Sequence, residues 1–136
     1  MCVKDELIQR ARKALSFSYA PYSGYAVSAA ILAGGEIFTG VNVENASYGL
    51  TICAERSAAV AAVSAGERRF EAIAVAVSKG QATPCGACRQ FLREFGRDFP
   101  VYLISEEGSV SCFTLNELLP ESFGPEFLDT EERNDL

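Results

Sequence analysis

Helix-like and strand-like segments alternate along these 136 residues, which predicts an α/β layered architecture around a mixed sheet. Three observations carry that expectation. Ala72-Ile73-Ala74-Val75-Ala76-Val77 is almost continuously apolar, as befits a strand covered on both faces and therefore central. Two strand-like runs, 27–32 and 36–43, meet across Gly34-Gly35, a hairpin signal that forces at least one antiparallel pair. Residues 3–18 set Val3, Leu7, Ile8, Ala11 and Leu15 at helical spacing between Lys4, Asp5, Arg10, Arg12 and Lys13, an amphipathic helix that packs by one face. With 49% hydrophobic residues, no repeat and no linker-like tract, residues 1–136 read as a single domain.

The remaining elements follow in order. The run Ala20-Pro21-Tyr22-Ser23-Gly24-Tyr25 breaks the first helix's periodicity, and 42–49 is too polar and turn-prone for a core strand. It feeds an alanine-rich helix over 53–66 that ends at Gly66. Pro84 stands at a helix-start position and opens a segment with Phe91, Leu92 and Phe95 at helical spacing, stopping at Gly96. Two further strands, 100–105 and 110–113, flank the turn Glu106-Glu107-Gly108, and 115–119 forms a short closing helix.

Composition excludes several kinds of function. Twelve basic and eighteen acidic residues leave a net charge of −6, which repels phosphate backbones and anionic lipid and argues against polynucleotide or membrane partners. The charge is uneven: seven acids and one base lie from Glu117 onward, so the body is neutral and the tail acidic. Histidine is absent, which removes Ser-His-Asp and Cys-His catalysis and every imidazole ligand. The five cysteines, at 2, 53, 85, 88 and 112, are odd in number and unlike a secreted disulfide framework. With no signal-peptide pattern and no bilayer-length apolar stretch, the expected location is a reducing cytoplasm.

Cys53-Ala54-Glu55 and Pro84-Cys85-Gly86-Ala87-Cys88 both lie where a loop becomes a helix, where the helix dipole favours anionic groups and lowers thiol pKa. Two such helix starts can converge on one cation. Cys53, Cys85 and Cys88 make a soft, all-sulfur donor set suited to zinc, one per chain, and three protein ligands on a tetrahedral ion leave a position for water. Glu55, two residues past a ligand, is placed to take a proton from that water and pass it on, so it is the candidate catalytic acid/base. Three thiolates overbalance a divalent cation, and Arg56 or Arg89 could return positive charge to the sulfurs; Arg56 is preferred. Taken alone, Cys85-x-x-Cys88 also fits a redox pair or half of a structural zinc site. The added Cys-Ala-Glu turns the balance toward a catalytic metal.

These elements resemble the signature of the zinc nucleoside deaminases, which takes histidine or cysteine as first ligand; this chain has the cysteine form. The likeness extends to Pro21-Tyr22-Ser23, to Gly40-Val41-Asn42-Val43-Glu44-Asn45-Ala46-Ser47-Tyr48-Gly49, to Cys53-Ala54-Glu55-Arg56 and to Pro84-Cys85-Gly86-Ala87-Cys88-Arg89-Gln90, and the chain looks like the small, homotetrameric cytidine deaminases. The resemblance implies a three-layer αβα sandwich with a mixed five-stranded sheet. It implies hydrolysis of cytidine, and of deoxycytidine, to the uracil nucleoside and ammonia in pyrimidine salvage, with a zinc-activated water attacking C4 and Glu55 carrying protons to N3 and to the departing ammonia.

It further assigns Asn42 and Glu44 to the ribose hydroxyls, the Ala54 backbone to the pyrimidine, and Tyr48 to a contact near the sugar across a subunit interface. Tyr25 stands where the family has a phenylalanine stacked on the base, and Ser28 where a glycine is usual. A C-terminal aromatic lent to a neighbouring subunit's site matches Phe123, with Phe127 in reserve.

Three alternatives stay open on the sequence. A related deaminase acting on another aminopyrimidine, such as a nucleoside antibiotic of the blasticidin S type, shares the Cys-Ala-Glu and Pro-Cys-Gly-x-Cys-Arg-Gln elements. A non-catalytic zinc module would need a fourth ligand, for which Cys2 or Cys112 is available. A thiol oxidoreductase would use Cys85 and Cys88 and leave Cys53 and Glu55 unexplained.

Overall fold

The computed structural model describes residues 2–128. Within them run helix α1 (Val3–Ala14), strands β1 (Val27–Ala33) and β2 (Glu36–Val41), helix α2 (Ala54–Ser64), strand β3 (Phe70–Val77), helix α3 (Gly86–Arg93), strands β4 (Pro100–Ile104) and β5 (Val110–Thr114) and the single-turn helix α4 (Leu115–Leu118). The sheet is five-stranded, in the order β2-β1-β3-β4-β5, with β3 and β4 parallel and the other pairs antiparallel. The mixed α/β layering expected from the sequence is thus observed, with β3 at the centre. The last acidic residues, 129–136, lie outside the described residues.

The alternation of side chains along β3 explains the three layers. Ala72, Ala74 and Ala76 face one side and cluster with Leu7 and Ala11 of α1; Ile73, Val75 and Val77 face the other and cluster with alanines of α2 and with Leu92 of α3. Small residues on the α1 face let that helix lie close. Its buried stripe is Leu7, Ala11 and Ala14, and Ser28, fully buried on β1, donates its hydroxyl to the Ala11 carbonyl. Ser28 is therefore a tie between sheet and α1, on the layer opposite the site described below.

Three boundaries differ from expectation. The first helix is α-helical only to Ala14, and Leu15–Phe17 tightens into a 3-10 turn, a common ending for a helix. Strand β2 stops at Val41, and Val43 makes only isolated bridges to Tyr19 and Ile52. Helix α3 starts at Gly86 with Cys85 as its cap, because the Cys85 sulfur accepts the Cys88 N–H at 3.4 Å; Pro84 lies just outside. The hairpin turn has positive φ at both Gly34 (60°) and Gly35 (78°), as a tight two-residue connection requires.

Gly40 decides how α2 sits on the sheet. A Cβ there would collide with the backbone nitrogen of Ala58, and α2 presents Ala54, Ala58, Ala59 and Ala62 to the sheet, so helix and strand meet at nearly backbone distance. Gly40→Ala is expected to lower stability by about 1–3 kcal/mol, the usual cost of overpacking. The backbone at Ala58 cannot rotate away as a side chain can, so α2 must shift. Chemical denaturation reads the loss, and an unchanged midpoint would contradict this packing.

Candidate active site

Helices α2 and α3 start side by side on the same face of the sheet, at the C-terminal end of β3. Cys53 caps α2 and Cys85 caps α3. With Cys88 one turn into α3, their three Sγ atoms all lie within 4.8 Å of one another. Cys88 is fully buried, Cys53 half-buried and Cys85 exposed. Cys2 and Cys112 are exposed and lie outside the cluster, so no fourth sulfur completes a closed structural site among the described residues.

Three sulfurs this close cannot all be anionic without a cation between them. The Cys53 thiol is drawn down to about 5, chiefly by a hydrogen bond from Cys88 and further by Arg56. That same bond, with burial, pushes the Cys88 thiol up. Protein alone therefore supports a thiolate at Cys53 beside a thiol at Cys88, and a divalent metal is what would let all three ionise. The donor set is all sulfur, which suits zinc.

Arg56 supplies the local positive charge. Its Nη2 donates to the Cys53 sulfur at 3.3 Å, and that contact in turn raises the arginine's own pKa. The Nε of Arg56 is buried without a hydrogen-bond partner among the described residues. Of the two arginines considered from sequence, Arg56 is the one on the sulfurs. Arg89 is spent elsewhere, on the Pro84 carbonyl, the Thr83 hydroxyl and the Leu118 carbonyl.

Glu55, only 4% exposed, lines the same pocket as Cys53 and Cys85. Burial raises its carboxyl to about 7, reinforced by the Cys53 thiolate and opposed by its own backbone N–H and by Arg56. A carboxyl in that range both accepts and returns a proton near neutral pH. The pocket, about 230 Å³, is lined by Tyr25, Val27, Asn42, Thr51, Ile52, Cys53, Ala54, Glu55, Val75, Val77, Thr83 and Cys85. Its walls are largely apolar and its polar groups few and convergent, as small-molecule sites are. Tyr25 forms part of the mouth, its phenol pKa raised by burial and then by Glu55.

The structure distributes the other sequence candidates unequally. Ala54 is fully buried in the pocket wall. Asn42 lines the pocket but is largely engaged: Oδ1 accepts from the Val27 N–H at 3.0 Å and from the Ser18 hydroxyl, and Nδ2 donates to the Tyr25 carbonyl at 2.8 Å. One amide N–H remains for a ligand. Glu44 does not line this pocket; its carboxylate accepts from the Ser23 hydroxyl, the Tyr22 N–H (2.9 Å) and the Ser23 N–H (3.1 Å), and these bonds, the hydroxyl first, lower its pKa.

Tyr48, 75% exposed, leans on Tyr22, and Phe123, 56% exposed, stacks on Phe127 at 5.6 Å; neither reaches the pocket of its own chain. Thr51, Ile52 and Thr83 are pocket residues that sequence reasoning missed. No residue type among them signals chemistry, and only the turn of chain before each helix start places them there.

The profile of the cytidine and deoxycytidylate deaminase zinc-binding region matches residues 1–104, which contain all three sulfurs and Glu55. The chain belongs to this zinc-binding cytidine deaminase family. Cytidine deaminase of Sporosarcina psychrophila is 46% identical over 127 residues, 91% of this chain and 93% of that protein. Cytidine deaminase of Halalkalibacterium halodurans is 47% identical over 126 residues, 90% and 96% of the two chains. The crystal structure of cytidine deaminase from Burkholderia pseudomallei superposes with a TM-score of 0.84 at 44% identity, covering 90% of this chain and 100% of that one. As a member of the cytidine deaminase family, the protein is a zinc-dependent hydrolase, and its three-layer fold is that of the family. No helix among the described residues is long and apolar enough to cross a membrane.

Proposed function

We propose that the protein deaminates cytidine and deoxycytidine hydrolytically, releasing ammonia, as a single-domain enzyme of pyrimidine salvage in a reducing cytoplasm. The observation that carries this reading is a buried carboxyl, Glu55, lining one small pocket with Cys53 and Cys85, whose sulfurs cluster with that of Cys88 behind them. Cys53, Cys85 and Cys88 would hold the zinc, which supplies the Lewis acidity that lowers a water's pKa. Glu55 accepts one proton from the attacking water and delivers it to N3 of the pyrimidine. It then takes the second proton from the hydroxyl newly formed at C4 and passes it to the amine, which departs as ammonia as the C4 carbonyl forms. Its carboxyl near 7 suits both directions of transfer. Arg56 offsets the surplus negative charge of the thiolates through its bond to Cys53.

Tyr25 offers its ring to the base, and the Ala54 backbone faces the pyrimidine edge. The free amide N–H of Asn42 and the remaining acceptor capacity of Glu44 serve the ribose hydroxyls, with Glu44 also holding the Tyr22-Ser23 turn that leads to Tyr25. Rates on cytidine and on blasticidin S, measured side by side, test the substrate. Cytidine is expected to be turned over the faster, and a strong preference for the antibiotic would overturn the assignment.

A homotetramer with sites at subunit interfaces belongs to the same proposal. Phe17, Tyr48, Leu50, Phe123 and Phe127 are all more than half exposed in the lone chain, an unusual amount of apolar surface for a monomer. In the assembly Tyr48 and Phe123 would complete a neighbouring pocket. Sedimentation equilibrium is expected to give four times the chain mass of 14.6 kDa, and a monomer would contradict it.

A further inference from the structure

Two of the three sulfur donors are fixed by packing, but Cys85 is not. Cys88 is fully buried inside α3, and Cys53 heads a helix pressed against the sheet. Cys85 is exposed at the end of an irregular stretch, residues 78–85, that belongs to neither strand nor helix. Its sulfur caps α3, yet a cap bond at 3.4 Å does not fix the chain that leads into it.

The Arg89 guanidinium does fix that chain. Nε donates to the Pro84 carbonyl at 2.9 Å, immediately before Cys85; Nη2 donates to the Thr83 hydroxyl at 3.0 Å; Nη1 donates to the Leu118 carbonyl at 2.6 Å, one of the unpaired carbonyls at the end of α4. Thr83 and Cys85 both line the pocket. We propose that Arg89 is a positioning residue: by holding Thr83, Pro84 and Leu118 at once, it sets the Cys85 donor and the Thr83 wall of the pocket against the rest of the site.

The inference rests on the reading of the site as a zinc deaminase centre and adds to it a role for an arginine that touches neither sulfur nor ligand. The three acceptors lie in different directions, and only a planar fork meets all of them. A lysine ammonium has the charge but not the reach to three separated oxygens. The next polar side chains of α3 bind the C-terminal segment farther from the pocket: Gln90 donates to the Phe123 carbonyl, and Arg93 pairs with Ser122 and Glu126. Arg93 is therefore the internal control, because it anchors the same segment without touching residues 83–85.

The test compares zinc-loaded wild type with Arg89→Gln, Arg89→Lys and Arg93→Gln. Two quantities are followed: release of zinc to a chromogenic chelator, and KM and kcat on cytidine. Arg89→Gln is expected to release zinc about tenfold faster or more, in the range seen when the support of a metal ligand is removed. KM is expected to rise more than kcat falls, since Thr83 is wall and not reacting group. Arg89→Lys should recover only part of the loss, and Arg93→Gln should stay within about twofold of wild type in zinc release.

Equal acceleration by Arg93→Gln, or release from Arg89→Gln within about twofold of wild type, would overturn the proposal. Should Arg89→Gln fail to fold, Thr83→Val removes one of the three acceptors and leaves the arginine; it is expected to speed release about threefold, and no change overturns the proposal. Absence of wild-type turnover on cytidine would count against the proposed function alone, because zinc release still reads the role of Arg89.

Discussion

Replacing Glu55 by glutamine is expected to lower turnover on cytidine by a factor of about 10²–10⁴ while zinc content and melting temperature stay near those of wild type. The amide keeps the volume of a side chain that is nearly fully buried, so packing against α2 and the sheet is conserved. What it loses is the ability to move a proton. The carboxyl lies close to 7 because burial and the Cys53 thiolate both resist its ionisation, and an amide does not titrate at all. Steady-state kinetics with metal analysis on the same preparation gives the answer. Turnover unchanged by the substitution would remove Glu55 from the chemistry and return the zinc to a structural role.

Cys88→Ala is expected to have the larger effect on the metal. Its sulfur is the only fully buried donor, and removing it leaves Cys53 and Cys85 with two sulfurs, too few to hold a tetrahedral ion against dialysis. Zinc should fall from one per chain to near zero, and activity with it. Cys112→Ala, on the exposed edge strand β5, should leave zinc at one per chain. Retention of zinc by Cys88→Ala, or its loss from Cys112→Ala, would mean that the donor set has been read wrongly.

Most of the fold and the metal centre were legible from the residues. The almost continuously apolar run 72–77 announced a central strand, and within it alanine on one face and larger side chains on the other set the two layer spacings. Cys-x-Glu and Pro-Cys-x-x-Cys were legible because each sits at a helix start, where local sequence decides both geometry and charge. Helix α3 starts at Gly86, with Cys85 as its cap and Pro84 just outside, because a sulfur hydrogen bond at 3.4 Å defines the boundary and no residue propensity encodes it.

The roles of the loop side chains were less legible. Nothing in the sequence shows that the Glu44 carboxylate holds the Tyr22-Ser23 turn, or that the Asn42 amide joins Ser18, Val27 and Tyr25, since these bonds span 15 to 24 residues. The same reason hid Thr83 and the bracing by Arg89, whose partner Leu118 is 29 residues away. Sequence patterning resolves elements and short motifs; it does not resolve side chains that act on distant backbone. Tyr48 and Phe123 fall in a further class, because their exposure in one chain acquires meaning only from a second.

The central claim, that three sulfurs and Glu55 form a hydrolytic deaminase centre, is tested most directly by following the ultraviolet spectrum of cytidine incubated with zinc-loaded protein. Conversion to the spectrum of uridine, with ammonia released in equal amount, is the predicted result. An unchanged spectrum for cytidine and deoxycytidine, with zinc confirmed at one per chain, would contradict it.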